Sequence, residues 1–247
     1  LEANGTVEEH LLEGLSRALW GNRIDLSFAA SMAHGTVVNT DDLIVDDSAF
    51  AVTQILRGQG LIHLIADNAG TELTMDLALI DTLLETTTAT VMLHVKMHPT
   101  FVSDAIPADV WNFFATLEER GGLFADFGER LQKAFEQKRF FILPHMFWNS
   151  PYSMWQMPSQ LKELLDQGRI LIVKGDANYR RLLGDAVWPT HTAFADVVSY
   201  FKAPVLALRT LKSDPIIGLP HGLPTRLEEI NPEWRINGKH GVIQFKA

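Results

Sequence analysis

Leu61-Ile62-His63-Leu64-Ile65-Ala66-Asp67-Asn68-Ala69-Gly70-Thr71-Glu72-Leu73 is the stretch whose pattern decides the fold. Its first six residues are almost all apolar, as in a strand buried on both faces. The run stops at Asp67-Asn68-Ala69-Gly70-Thr71. Beyond it, Leu73, Leu77, Ile80 and Leu84 recur at helical spacing. The same strand, turn and helix grammar continues downstream. Strands are expected at 90–97, 139–143, 169–173, 205–208 and 242–245. Helices are expected at 107–120, where Pro107 suits a helix start, and at 125–137, 158–167, 178–183, 192–201 and 224–230. Such alternation implies an α/β fold with a mainly parallel, twisted sheet covered by helices on both faces.

Upstream, Leu11, Leu12, Leu15 and Leu19 form one stripe of a helix over 8–19, which is expected to break at Gly21-Asn22. Residues 32–47 are polar and irregular and suggest a surface loop. Asp46-Asp47-Ser48 then offers caps for a helix through Leu56. Residues 1–60 thus read as an N-terminal helical and loop region and 61–247 as the α/β core, together one continuous domain. The chain starts at Leu1 without a methionine, which suggests a cut start with sequence missing upstream.

The 247 residues are 47% hydrophobic, ample for one buried core. A net charge of -9 argues against a nucleic-acid backbone as partner, because that needs a basic footprint. The absence of cysteine excludes disulfides, thiolate metal sites and cysteine nucleophiles, and fits a reducing compartment such as the cytoplasm. No apolar run approaches a bilayer-spanning length, so no membrane partner is expected.

In open α/β sheets, ligands bind at the carboxyl ends of the strands. The polar residues that follow the expected strands are Asp67 and Asn68, then Asp104, then Asp176 with Asn178 and Arg180, then Arg209 and Lys212. Two carboxylates and an amide oxygen make a hard, all-oxygen site, suited to magnesium or manganese rather than zinc. Lysine and arginine opposite such a metal would hold phosphoryl oxygens. The helix opening at Gly70-Thr71 would add its positive end. Each residue also has a plainer reading: Asp67-Asn68 as a helix cap, Asp104 as a loop residue, Glu72 as a first-turn acid, and Arg180 and Lys212 as solvated charges. His63 reads as a core residue, and His145, Trp148 and Trp155 as packing around a turn. There is no zinc-binding histidine pair, nucleophile elbow, P-loop or dinucleotide fingerprint.

Five stretches together resemble one family. They are Trp20-Gly21-Asn22-Arg23-Ile24-Asp25-Leu26-Ser27, Asp67-Asn68-Ala69-Gly70-Thr71-Glu72-Leu73, Phe101-Val102-Ser103-Asp104, Lys174-Gly175-Asp176-Ala177-Asn178-Tyr179-Arg180-Arg181-Leu182 and Arg209-Thr210-Leu211-Lys212. They are similar to the damage-control phosphatase family, in the subgroup named for acidic residue methyltransferase 1. The closing Gly241-Val242-Ile243-Gln244-Phe245 adds to the likeness, which runs through nearly the whole chain in the family's order. The resemblance implies a three-layer α/β/α sandwich and metal-dependent hydrolysis of phosphate monoesters. It implies metal ligation by Asp67, Asn68 and Asp104, and substrate contacts from Asn22, from Asp176 through Asn178 and Arg180, and from Lys212. The metals it implies are manganese or magnesium, with cobalt or nickel as further options. The partner it implies is a small phosphorylated metabolite such as fructose 1-phosphate or fructose 6-phosphate. Family members carry a longer helical region before the Trp-Gly-Asn stretch, and its absence would leave the pocket open on one side.

On this reading Lys212 and Arg180 offset phosphoryl charge in the transition state. A water deprotonated by Asp104 or Asp176 is the favoured nucleophile. Direct attack by Asp67 is the other route, but the haloacid dehalogenase pattern for it needs a second aspartate where Ala69 stands. Two rivals are an S-adenosylmethionine-dependent carboxyl methyltransferase, for which the expected glycine-rich nucleotide loop is missing, and a non-catalytic sugar-phosphate-binding protein.

Overall fold

The computed structural model describes residues 5–31 and 42–247, the side chains of 22–31 excepted. In chain order the elements are α1 (Val7–Ser31), β1 (Leu43–Asp46), α2 (Ser48–Ile55), β2 (Leu61–Ile65), α3 (Thr71–Thr86), β3 (Thr90–Val95), α4 (Pro107–Arg120), α5 (Leu123–Glu136), β4 (Phe140–Pro144), α6 (Ser159–Asp166), β5 (Gly168–Lys174), α7 (Asp176–Leu182), α8 (Phe194–Val197), β6 (Val205–Thr210), α9 (Leu223–Ile230) and β7 (Gly241–Lys246). Among the described residues the strands form one seven-stranded sheet in the order β1-β7-β6-β5-β2-β3-β4. From β6 through β4 every pairing is parallel; β7 runs antiparallel to β6, and β1 runs parallel to β7.

Alternation along the central strands builds two cores, one on each face. Ile62, Leu64, Ile170, Ile172, Leu206 and Leu208 pack with residues from α1 to α5. Ile65, Leu171, Val173, Val205 and Ala207 pack against the other face with α6 to α9. Both faces are buried, which explains why these strands are continuously apolar. The result is the α/β arrangement in three layers. No helix among the described residues is long and apolar enough to cross a membrane.

Three local expectations are corrected. The first helix does not break at Gly21-Asn22 but continues to Ser31. Gly21 is a packing residue: a Cβ there would stand 3.1 Å from Met75 Cβ and Cγ and 3.3 Å from Glu72 Cα. The missing side chain lets α1 lie close along α3. The expected loop at 32–47 contains β1, a short edge strand on β7. Its Leu43-Ile44-Val45 core was hidden by the acids around it; residues 32–41 lie outside the described residues. The helix expected at 192–201 is a single turn, Phe194–Val197, after which Tyr200 and Phe201 leave the helical path. The Tyr200 hydroxyl donates to Leu182 O, and Phe201 is buried.

His63 on β2 and His94 on β3 are both buried, and His63 Nδ1 lies 3.0 Å from His94 Nε2. His94 also meets the Trp148 ring edge-on at 5.5 Å. Burial pushes the His63 imidazole down to about 4. Burial, with His63 and His145 nearby, holds His94 well below its ordinary range. In the unfolded chain both take a proton near pH ~6.5. Below that pH the unfolded chain therefore binds more protons than the folded one, and stability falls as pH drops from 6.5 towards 4. Each histidine contributes a slope of up to about 1.4 kcal/mol per pH unit. Urea unfolding between pH 7 and pH 5 is expected to show this loss. The double variant His63→Leu/His94→Leu is expected to show a shallower one; parallel curves for the two proteins would contradict the assignment.

Candidate functional site

Strand register assembles the site. Ile65 pairs with His94 on one side and with Val173 on the other, and Val173 pairs with Ala207. Two residues past this row, on the same face of the pleat, stand Asp67, Lys96, Gly175 and Arg209. The chain leaves β2 towards β3 and β4, then returns to β5 and β6 on the other side, so the strand order reverses between β2 and β5. That is the switch point at which open α/β sheets bind ligands.

Asp67 occupies this point and is buried. Its neighbour Gly175 has φ +87, and a Cβ there would stand 2.1 Å from Asp67 Oδ2. Glycine at 175 therefore gives the carboxylate its place as well as permitting the turn. The backbone of Ala177, in the first turn of α7, favours the charged form of Asp67. On the other side the loops after β2 and β3 are joined: Ala69 N donates to Ser103 O at 2.7 Å and Ala105 N to Asp67 O at 3.1 Å. A single antiparallel bridge pairs Asn68 with Asp104. This returns Asp104, well beyond the end of β3, to the side of Asp67.

Backbone and neighbouring side chains fix the donor atoms. Asp104 Oδ2 accepts from the amides of Thr100 and Phe101, both at 2.8 Å, and Oδ1 accepts from Lys96 Nζ. Asn68 Nδ2 donates to Glu72 Oε2 at 3.0 Å, and Asn68 Oδ1 accepts from Ser103 Oγ at 2.9 Å. These two bonds set which way the amide faces. Burial pushes the Asp67 carboxyl up to about 7; the charge on Glu72 adds to the shift, Lys96 opposes it and Asp104 adds again. Asp67, Asn68, Glu72, Asp104, Asp176 and Lys212 all line a cavity of about 210 Å³. Lys212 is exposed there, and its ammonium has no ion-pair partner among the described residues.

Other expected residues lie elsewhere. Arg209 is wholly buried and does not reach the cavity: Nε bonds Asp176 Oδ1 at 2.7 Å and Nη2 bonds Ser213 O at 2.7 Å. Its guanidinium lies 4.4 Å from the Tyr179 ring centre. Asp176 Oδ1 also accepts from the Lys212 amide at 3.1 Å, so this carboxylate joins the loop after β6 to α7. Asn178 is buried and donates to Ala66 O and Lys174 O, both at 3.0 Å, tying β2 to β5. Arg180 forms a two-point pair with Asp185 and lines an adjoining cavity of about 380 Å³, away from Asp67. Asn22 lies in the backbone of α1, but its side chain is outside the described residues. Lys96 and Gly175 were missed as site residues. The strand-end rule that found Asp67 finds Lys96 too, since it directly follows the last residue of β3. Ser103 could not be found that way, because its role depends on how two loops join.

Residues 1–227 match the model of the damage-control phosphatase ARMT1-like domain. The chain is 30% identical to damage-control phosphatase ARMT1 of Danio rerio, over 98% of this chain and 59% of that protein. It is 29% identical to that of Xenopus laevis, over 97% and 60%, and 27% identical to that of Homo sapiens, over 97% and 59%. The chain thus spans less than two thirds of these relatives. Among solved structures, a DUF89 family protein of Pyrococcus horikoshii is similar in fold, with a TM-score of 0.51 and 16% identity over 98% of this chain and 67% of that one.

The two aspartate–arginine pairs here should differ in strength. Asp176→Ala leaves a wholly buried guanidinium without its carboxylate, and should cost about 3 kcal/mol or more in urea unfolding. Asp185→Asn replaces the charged partner of the more exposed Arg180 with a residue that tolerates the left-handed backbone there, and should cost under about 1 kcal/mol. Equal losses would contradict the placement of Arg209 as an internal strut.

Proposed function

The chain belongs to the damage-control phosphatase ARMT1-like family, and we propose that it hydrolyses phosphate monoesters of small metabolites with the help of a divalent metal. One observation carries this reading: Asp67, Asn68 and Asp104 meet at the switch point of the sheet, in a cavity that Lys212, without an ion-pair partner among the described residues, also lines.

The residues present fit a hard cation. The donors are all oxygen, which suits manganese or magnesium, with cobalt or nickel as alternatives. Three buried acids share the cavity, and burial first, then the charges on Glu72 and Asp104, push the Asp67 carboxyl up. A positive charge placed among them would relieve that repulsion. Asn68 keeps its amide nitrogen on Glu72, and its oxygen, which accepts one hydrogen bond from Ser103 Oγ, has a second lone pair for a ligand role. When bound by Asp67, Asn68 and Asp104, a divalent cation would neutralise charge on a phosphoryl oxygen and help to activate water.

The chain's own residues supply the rest. Lys212 faces the remaining phosphoryl oxygens and offsets the charge that spreads over them in the transition state. Its backbone is held by Asp176, which is held in turn by Arg209. Water is the nucleophile. Asp104 and Asp176 are the candidates for taking its proton; Asp104 has both oxygens engaged, whereas Asp176 Oδ1 takes two hydrogen bonds and its Oδ2 takes none among the described residues, which favours Asp176. The adjoining cavity shares Lys96, Phe101 and Ala177 with the first and would take the organic part of the substrate. Arg180 and Asn178 line it, which supports their part in substrate binding rather than at the phosphoryl group. Fructose 1-phosphate and fructose 6-phosphate are the substrates we propose.

Phosphate release from a panel of sugar phosphates, with manganese or magnesium, tests this reading. Release from a fructose phosphate is expected, with a loss of at least about 100-fold in Asp67→Ala. Gly175→Ala should lose activity and manganese affinity together, because its methyl takes the space of the Asp67 carboxylate. A manganese-loaded protein that releases phosphate from no phosphoester would sink the proposal, and binding without release would favour a sensor. Trapping a phosphorylated Asp67 would replace water with aspartate as the nucleophile.

A further inference from the structure

The ammonium of Lys96 stands between the two carboxylates assigned to the metal. It donates to Asp104 Oδ1 and lies 3.9 Å from Asp67 Oδ1, and its side chain is only 10% exposed. Asp104 has one oxygen held by two backbone amides and one oxygen free of the backbone. Lys96 occupies the free one, the oxygen that an incoming cation would need. The lysine also lines both cavities, so its tip borders a space of about 380 Å³ on the side away from Asp67. A flexible four-carbon stem beside open space can turn its ammonium without disturbing the strand.

We propose that Lys96 is a displaceable counter-ion: it holds Asp67 and Asp104 together in the metal-free protein, and a divalent cation must drive it off Asp104 to bind. Lys96 is thus a positioning residue that sets metal affinity and supports the empty site. The inference rests on the metal site proposed above. Asp67 and Asp104, both buried, would repel one another without the ammonium between them and favour unfolding. The ammonium prevents this, but it also competes with the metal, both for one oxygen and through its charge.

Manganese titration by calorimetry and thermal unfolding, on the whole chain with and without manganese, test the inference in wild type, Lys96→Met and Lys96→Gln. Both variants are expected to bind manganese about 10-fold more tightly than wild type, or better. Without metal, both should melt below wild type, and saturating manganese should close the gap, because ligand binding stabilises the folded state by mass action. A variant that folds only when manganese is present meets the same expectation. Unchanged or weaker manganese binding in the variants would overturn the inference, as would a metal-free melting temperature equal to that of wild type. Failure of both variants to fold even in saturating manganese would also overturn it, since the metal should replace the ammonium. A wild-type chain that takes up no manganese counts against the metal site itself. A wild type that binds, with variants no tighter, counts against Lys96 alone.

Discussion

Asp67 lies between Lys96 and Gly175 because β3, β2 and β5 run parallel and in step. The remaining site geometry depends on that register. Shifting a strand by one residue would turn its whole side-chain set to the other face. The buried alternation of Ile62, Leu64 and Ile65 with Ile170, Leu171 and Ile172 resists such a slip. The cores on the two faces of the sheet therefore align the site as well as stabilise the fold. Glycine is required at 175 because a side chain there would enter the space of the carboxylate.

A second layer of polar contacts holds the donors still. Asp104 is gripped by two loop amides, Asn68 is oriented from both ends, and Asp176 is tied to a buried arginine. Chelating groups whose positions are already fixed lose little freedom on binding a ligand. The cost lies in electrostatics, since Asp67, Glu72 and Asp104 are all buried around one cavity. Lys96 and Lys212 offset that charge differently. Lys96 is inside the acid cluster and paired; Lys212 is exposed at the cavity wall and unpaired among the described residues.

The α/β architecture was legible in the sequence because strands buried on both faces are continuously apolar and are cut off by Asp67, Pro144 or Gly175. The start of α4 was read from Pro107 for the same local reason. Gly21 misled, because a glycine used for close packing looks in one dimension like a helix stop. For the site, strand-end position brought Asp67, Asn68, Asp104 and Lys212 into one set, and the structure brings them to one cavity. It could not separate Arg209, whose direction along the pleat takes it into the core beside Tyr179, from a ligand-facing cation. Nor could it tell that Arg180 would pair with Asp185, because that contact depends on the left-handed backbone at Asp185 after α7.

The account is tested most directly by anomalous X-ray diffraction from crystals of this chain soaked in manganese. It predicts one strong manganese peak within coordination distance of the Asp67 and Asp104 carboxylates and the Asn68 amide oxygen, with the Lys96 ammonium withdrawn from Asp104. A peak at another place, or no peak in this cavity at saturating manganese, would contradict it.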